Sequence, residues 1–291
     1  MHDDVYISGI ISAAHEIRKY AVRRATLKDI ASIGICRDVV KDLLTRLLEF
    51  DFRNGPLRRK YDSVKYINRQ MEDIVYELSL IGHRLEEEAQ KTISSRVDVT
   101  TMNAISERMK ERDARREQVI KQSRDVLKSA KKAIFGLHRD NMKQARSEIE
   151  KAVTCACKIE KEFLEAQPSL RKGSYANAVE EWAEARLFEH WLLWTAGQKE
   201  EKKTLDKNTT PFLLHSEIRK EIEMTEDEYL GGLIDLTGEI GRWAVARAAQ
   251  RDSGSVELAL ASCRKIQEAV LALGGAAPYR VRMAALERDG V

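Results

Sequence analysis

Apolar residues recur along this chain at spacings of three and four, the period of one helical face, and no run shows the strict alternation of a half-buried strand. The pattern predicts a helix over 4–25, where Ile7, Ile10, Ile11, Ala14, Ile17 and Ala21 share a face, and a second over about 30–50. A third is predicted over 57–80, with Val64, Ile67, Met71, Ile74, Val75 and Leu78 as its stripe. From Arg84 to about Thr101 polar residues dominate, with Glu86, Glu87 and Glu88 in a row, and this segment reads as a linker. Further helices are expected over about 103–138, 141–166, 175–195 and 226–250, with a weaker one over 255–272. Between Gly197 and Asp227, Lys-rich and Thr-rich stretches and Pro211 read as a long loop with room for one short helix. The expected class is all-α, an antiparallel helical bundle divided into 1–83, the linker 84–102 and 103–291.

One helix is written twice. Laying residue 4 on residue 227 pairs Asp4 with Asp227, Tyr6 with Tyr229, Gly9 with Gly232, Ile11 with Ile234, Glu16 with Glu239 and Ile17 with Ile240. Ala21, Val22, Arg24 and Ala25 then meet Ala244, Val245, Arg247 and Ala248. The copies differ at one chemically loaded position: the first has Ser12 where the second has Asp235.

Composition narrows the setting. Four prolines in 291 residues, with 33% charged residues, agree with a helical chain. No stretch reaches the ~18 consecutive apolar residues of a membrane span, and the start lacks the basic-then-apolar layout of a secretion signal. An intracellular setting is expected, cytoplasmic with the nucleus as a second place. Cys36, Cys155, Cys157 and Cys263 form no CxxC pair and read as free, mostly buried thiols. A net charge of +3 is too small to announce nucleic acid, but residues 1–70 hold 14 Lys and Arg against 9 Asp and Glu. That surplus of five leaves the remainder at minus two. Arg58, Arg59, Lys60, Lys65 and Arg69 cluster in the third helix, and Arg18, Lys19, Arg23 and Arg24 in the first. Each cluster reads either as a solvated face or as a set of phosphate contacts.

The stretch EYLGGLIDLTGEIGRWAV, residues 228–245, holds four glycines inside a helical pattern and sets Asp235 and Glu239 four apart. Each internal Gly costs roughly 1 kcal/mol against Ala, and like charges at i and i+4 add a few tenths. On a wheel, Asp235, Glu239 and Arg242 fall within a sector of about 60°, with Leu230, Leu233, Ile234, Ile240 and Ala244 opposite. A solvated face with Arg242 compensating Glu239 would suffice for this helix alone. The 175–195 helix adds Glu181 and Glu184, one turn apart at the head of a stripe continued by Phe188, Trp191 and Leu192. Two helices that each turn two carboxylates inward would make a hard-oxygen site for Mg²⁺ or Mn²⁺, suited to metal-assisted phosphodiester cleavage. Trp182, Trp191, Trp194 and Trp243 read as core aromatics, and His190 as an ordinary histidine on a different face from Glu184.

EYLGGLIDLTGEIGR together with LRRKYDSVKYINRQMEDIVYELSL (57–80) resembles the translin family. QVIKQSRDVLKSAKKAIFGLHR (118–139), EEWAEARLFEHW (180–191) and GGAAPYRV (274–281) resemble the translin-associated factor X branch over about 103–281, whereas residues 4–80 look like the second half of a translin-type chain. The resemblance implies a translin-like bundle that joins translin-type subunits in a homo- or hetero-oligomer, hollow in form, with an octamer as one form. It further implies a Mg²⁺-dependent endoribonuclease acting on single-stranded RNA, in which Glu181, Glu184, Asp235 and Glu239 match the branch's four acids in catalysis and metal binding. Arg242 would orient Glu239 or touch phosphate. The first copy, with Ser12 and no upstream glutamate helix, would be catalytically silent. The helix at 57–80 is a candidate for the last-helix position of the second copy, in its own or a neighbouring chain. A non-catalytic RNA- or single-stranded-DNA-binding scaffold of the same fold is the alternative, and a coiled-coil interaction protein without nucleic acid is a third.

Overall fold

The computed structural model describes residues 3–53, 55–80, 97–200 and 211–273, and among these every regular element is helical. The elements are α1 (Asp3–Thr26), α2 (Ile30–Leu47), α3 (Pro56–Leu80), α4 (Val99–His138), α5 (Met142–Ile159), α6 (Ser174–Glu200), α7 (His215–Ile218), α8 (Glu226–Ala249) and α9 (Ser253–Ala272). A π turn, Glu160–Leu164, extends α5, and a 3-10 turn, Pro168–Arg171, precedes α6. The expected GGAAPYRV segment lies outside the described residues.

The chain divides into two compact units, Met1–Ala114 and Arg115–Val291. In the first, α1, α2 and α3 pack on one another around Ile7, Ile11, Val40, Leu47, Val64 and Met71. The helix expected at 57–80 is therefore engaged with the first copy's own helices. Helix α4 begins at Val99, four residues before the expected start, because Asp98 caps it: Thr101 donates its backbone N–H and its hydroxyl to the Asp98 carboxylate at 3.1 and 2.5 Å. Met102 and Ile105 enter the first core, and Arg108 and Arg112 pair with Asp3 and Asp4 at 2.7 and 2.8 Å.

In the second unit α6 is the central helix. Tyr175, Val179, Trp182, Leu187, Phe188 and Trp191 are all fully buried, which takes up most of its circumference. Helix α8 packs along it and α9 covers α8, with Leu236, Ile240 and Ile266 in the shared core. Trp182, Trp191 and Trp243 are core aromatics as expected. The four thiols are free, but only Cys36 is buried; Cys155 and Cys263 are half-buried and Cys157 is exposed.

The repeat extends beyond the matched residues. Helices α1 and α8 both span 24 residues, displaced by the same register that lays residue 4 on residue 227. Each ends in a left-handed residue, Lys28 at φ 55° and Arg251 at φ 61°. The next backbone N–H returns to the helix, Asp29 to the Arg24 carbonyl at 3.0 Å and Asp252 to the Arg247 carbonyl at 3.1 Å. Asp29 and Asp252 then cap the following helices, accepting from the backbone N–H of Ser32 and Ser255 at 3.1 Å in both copies. Asp140 at φ 55° followed by the N-cap Asn141 makes the same kind of turn between α4 and α5.

Candidate catalytic site

The site forms where α8 crosses α6, and glycines set the separation. A Cβ on Gly232 would stand 2.9 Å from both the Glu180 carbonyl oxygen and the Ala183 methyl, and one on Gly231 would collide with the Glu180 carboxylate. Gly232 thus admits the backbone of α6 and Gly231 the Glu180 side chain, while Gly238 faces open space and has no such packing role. The N-terminus of α8 is fixed by a capping box between Thr225 and Glu228. Buried Glu228 also accepts a bidentate pair from Arg171 at 3.0 and 2.7 Å.

Glu181, Glu184, Asp235 and Glu239 gather at this crossing, though not equally deeply. Glu184 is 7% exposed and Glu239 8%, whereas Glu181 is half-buried and Asp235 exposed. Burial first, and then the charges of Glu239, Glu181 and Asp235, push the Glu184 carboxyl up to about 8, against a smaller opposing pull from Arg242. Glu181 is raised too, by burial first, with Lys131 opposing and the neighbouring carboxylates adding to it. Lys131 Nζ stands 3.9 Å from Glu181 Oε1.

Glu239 has close partners. Its Oε2 meets His138 Nε2 at 2.5 Å and accepts from Arg242 at 2.9 Å. The His138 ring packs on Phe188, with centroids 4.9 Å apart. His138 escaped the sequence reading because one histidine at the C-terminal end of a 40-residue helix has no periodicity of its own. The hint available was its place in GLHR, within the segment resembling the family's first long helix. Arg242 is thus in contact with Glu239, the partner that one of its two expected roles requires.

The donor chemistry fits a hard divalent cation. Four carboxylates share a crossing where burial and the neighbouring acids push the carboxyl of Glu184 up to about 8, and carboxylate oxygen is the preferred ligand of Mg²⁺. Among the described residues no three His, Cys, Asp or Glu side chains converge as a metal-ligand group. Glu239 is instead turned to His138 and Arg242.

The basic cluster of α3 lies in the first unit, and its cations have local partners. Arg58 and Lys65 approach Asp62 at 3.5 and 3.8 Å and stand over the Tyr61 ring, and Lys60 donates to Ser8. Arg59, Lys60, Lys65 and Arg69 are exposed. The acidic crossing belongs to the second unit.

In comparisons with known proteins, the translin family model matches residues 2–82 and 114–289. Translin of Gallus gallus is 31% identical over 77 residues, 26% of this chain and 34% of that protein. Translin of Homo sapiens and of Mus musculus are each 30% identical over 87 residues, 29% of this chain and 38% of theirs. The chain thus matches little more than a third of the length of these curated relatives. No helix among the described residues is long and apolar enough to cross a membrane.

Proposed function

This chain belongs to the translin family, and from that premise we propose that it is a metal-dependent endoribonuclease cutting single-stranded RNA within an oligomer of translin-type subunits. The observation that carries this reading is the α6–α8 crossing, where Gly232 admits the close approach of two helices bearing four carboxylates, with Glu184 and Glu239 both buried. A purely structural helix pair gains nothing from burying the Glu184 carboxyl, which is costly. The assignment to the factor X branch, and with it the four-acid role, rests on the motifs Glu181-x-x-Glu184 and Asp235-x-x-x-Glu239.

Glu181, Glu184, Asp235 and Glu239 would hold Mg²⁺ or Mn²⁺. A bound ion supplies a water of lowered pKa and neutralises charge in the phosphoryl transition state. His138 and Arg242 both meet Oε2 of Glu239 and so hold its carboxylate in place. Glu184, whose carboxyl is pushed up to about 8 first by burial and then by the neighbouring carboxylates, would release its proton as one of the residues holding the ion. Lys131, beside Glu181 at the rim, is placed to meet a phosphate.

A circular single-stranded RNA tests the endonucleolytic reading, because it has no ends to erode. Incubation with protein and Mg²⁺ yields a linear product, and EDTA prevents it. A circle that stays closed with Mg²⁺ or Mn²⁺, alone and with translin added, overturns the reading in favour of a non-catalytic scaffold.

A further inference from the structure

We propose that the outer face of the C-terminal half of α4 is the track along which single-stranded RNA runs to the acidic crossing. At 100° per residue, Lys121, Arg124, Lys128, Lys132, Phe135 and Arg139 fall within an arc of about 80°, opposite the buried Val119, Val126, Ala130, Ala133 and Leu137. Lys131 and His138 lie at one edge of this arc, and they are the two α4 residues that reach the acids, at Glu181 and Glu239. The C-terminal part of the face, from Lys131 to His138, therefore borders the crossing. From Lys121 to Arg139 it runs about 27 Å at 1.5 Å per residue, room for several nucleotides.

Its charge is unlike that of an ordinary solvated helix. Residues 121–139 hold six Lys and Arg against the single acid Asp125. Arg124, Lys128 and Lys132 stand in successive i,i+4 positions, where like charges repel. Lys121, Arg124 and Lys128 enter no ion pair among the described residues, although Asp125 lies close by in sequence. A polyanion relieves this repulsion in the way a cation relieves that of the acids. Over the whole chain the same cations are hidden by surrounding acids, so that composition pointed to residues 1–70 instead.

An aromatic ring is set into the stripe. Phe135 is 54% exposed, and the Arg139 guanidinium stands 4.0 Å from its centroid. An exposed ring flanked by cations offers a face to an unstacked base while the cations take the phosphates, and a duplex keeps its bases from such a ring. The partner is therefore a single strand, bound with little sequence preference.

This proposal rests on the nuclease reading for its substrate, and the test separates the two. Binding of labelled oligouridine by the full chain is titrated against salt for wild type, Arg124→Gln/Lys128→Gln/Lys132→Gln and Phe135→Ala, with far-UV circular dichroism and thermal unfolding as controls of folding. At about 0.7 per phosphate contact, the triple variant lowers the log–log salt slope by about two. Phe135→Ala weakens binding about ten-fold with the slope unchanged. Should the triple variant not fold, Arg124→Gln and Lys128→Gln alone each lower the slope by about 0.7. Folded variants that keep wild-type affinity and slope overturn the track; if they also cut RNA normally, the nuclease reading stands without it. Wild type that binds through the stripe yet never cuts leaves the track in place and removes the nuclease.

Discussion

Glu184 is the residue on which the chemistry and the stability of the second unit meet. Its carboxyl holds a proton to about pH 8 in the folded chain, against an ordinary value of 4.5. The folded state therefore binds more protons than the unfolded one between these limits, and stability falls as pH rises through that window. Glu184→Gln removes the titration: it unfolds several degrees higher than wild type at pH 8 and by about the same amount as wild type at pH 5. Mg²⁺ raises the unfolding temperature of wild type at pH 8 and raises that of Glu184→Gln less, because one of the four carboxylates that would hold the ion is lost. Differential scanning calorimetry at the two pH values, with and without Mg²⁺, reads all four quantities. A wild-type protein whose stability is flat across the window contradicts the burial of an uncompensated carboxylate. At this scale the acids were legible because their spacing placed them on one face. His138 was not, because only the approach of α4 to α8 gives it a partner.

At the scale of the element, glycine is used for different ends along one helix. Gly232→Ala puts a methyl against the backbone of α6 and costs about 2 kcal/mol or more, the scale of an overpacked core. Gly238→Ala meets open space and gains roughly 0.5–1 kcal/mol of helix propensity. Chemical denaturation of the two variants checks the contrast, and equal effects would contradict the close crossing. Gly9, the repeat partner of Gly232, also meets nothing within 4 Å, so the shared glycine marks common descent of the sequence rather than a shared contact. The ends of α1 and α8 were less legible than their stripes. Left-handed Lys28 and Arg251 carry no glycine signal, and the turns show only through the paired caps Asp29 and Asp252. The start of α4 was missed for a similar reason, since the polar run before it concealed the cap Asp98.

At the scale of the whole molecule, the chain is built from parts of one pattern used twice. The family match breaks over 83–113 and resumes at 114, and the units divide between Ala114 and Arg115. Hydropathy alone placed the division within 84–102, because α4 continues as one helix through it and only its packing partners change. The first unit repeats the helix of the second's α8 without a counterpart of Glu181 and Glu184, so the proposed catalysis belongs to residues 115 onward. The account stands most directly on single-turnover cleavage of a labelled single-stranded RNA by wild type, Glu184→Gln and Asp235→Asn, with RNA binding measured in parallel. It predicts Mg²⁺-dependent cutting that each substitution lowers by about a hundred-fold or more while binding persists. Cutting that survives both substitutions, or RNA bound and never cut by wild type, would contradict it.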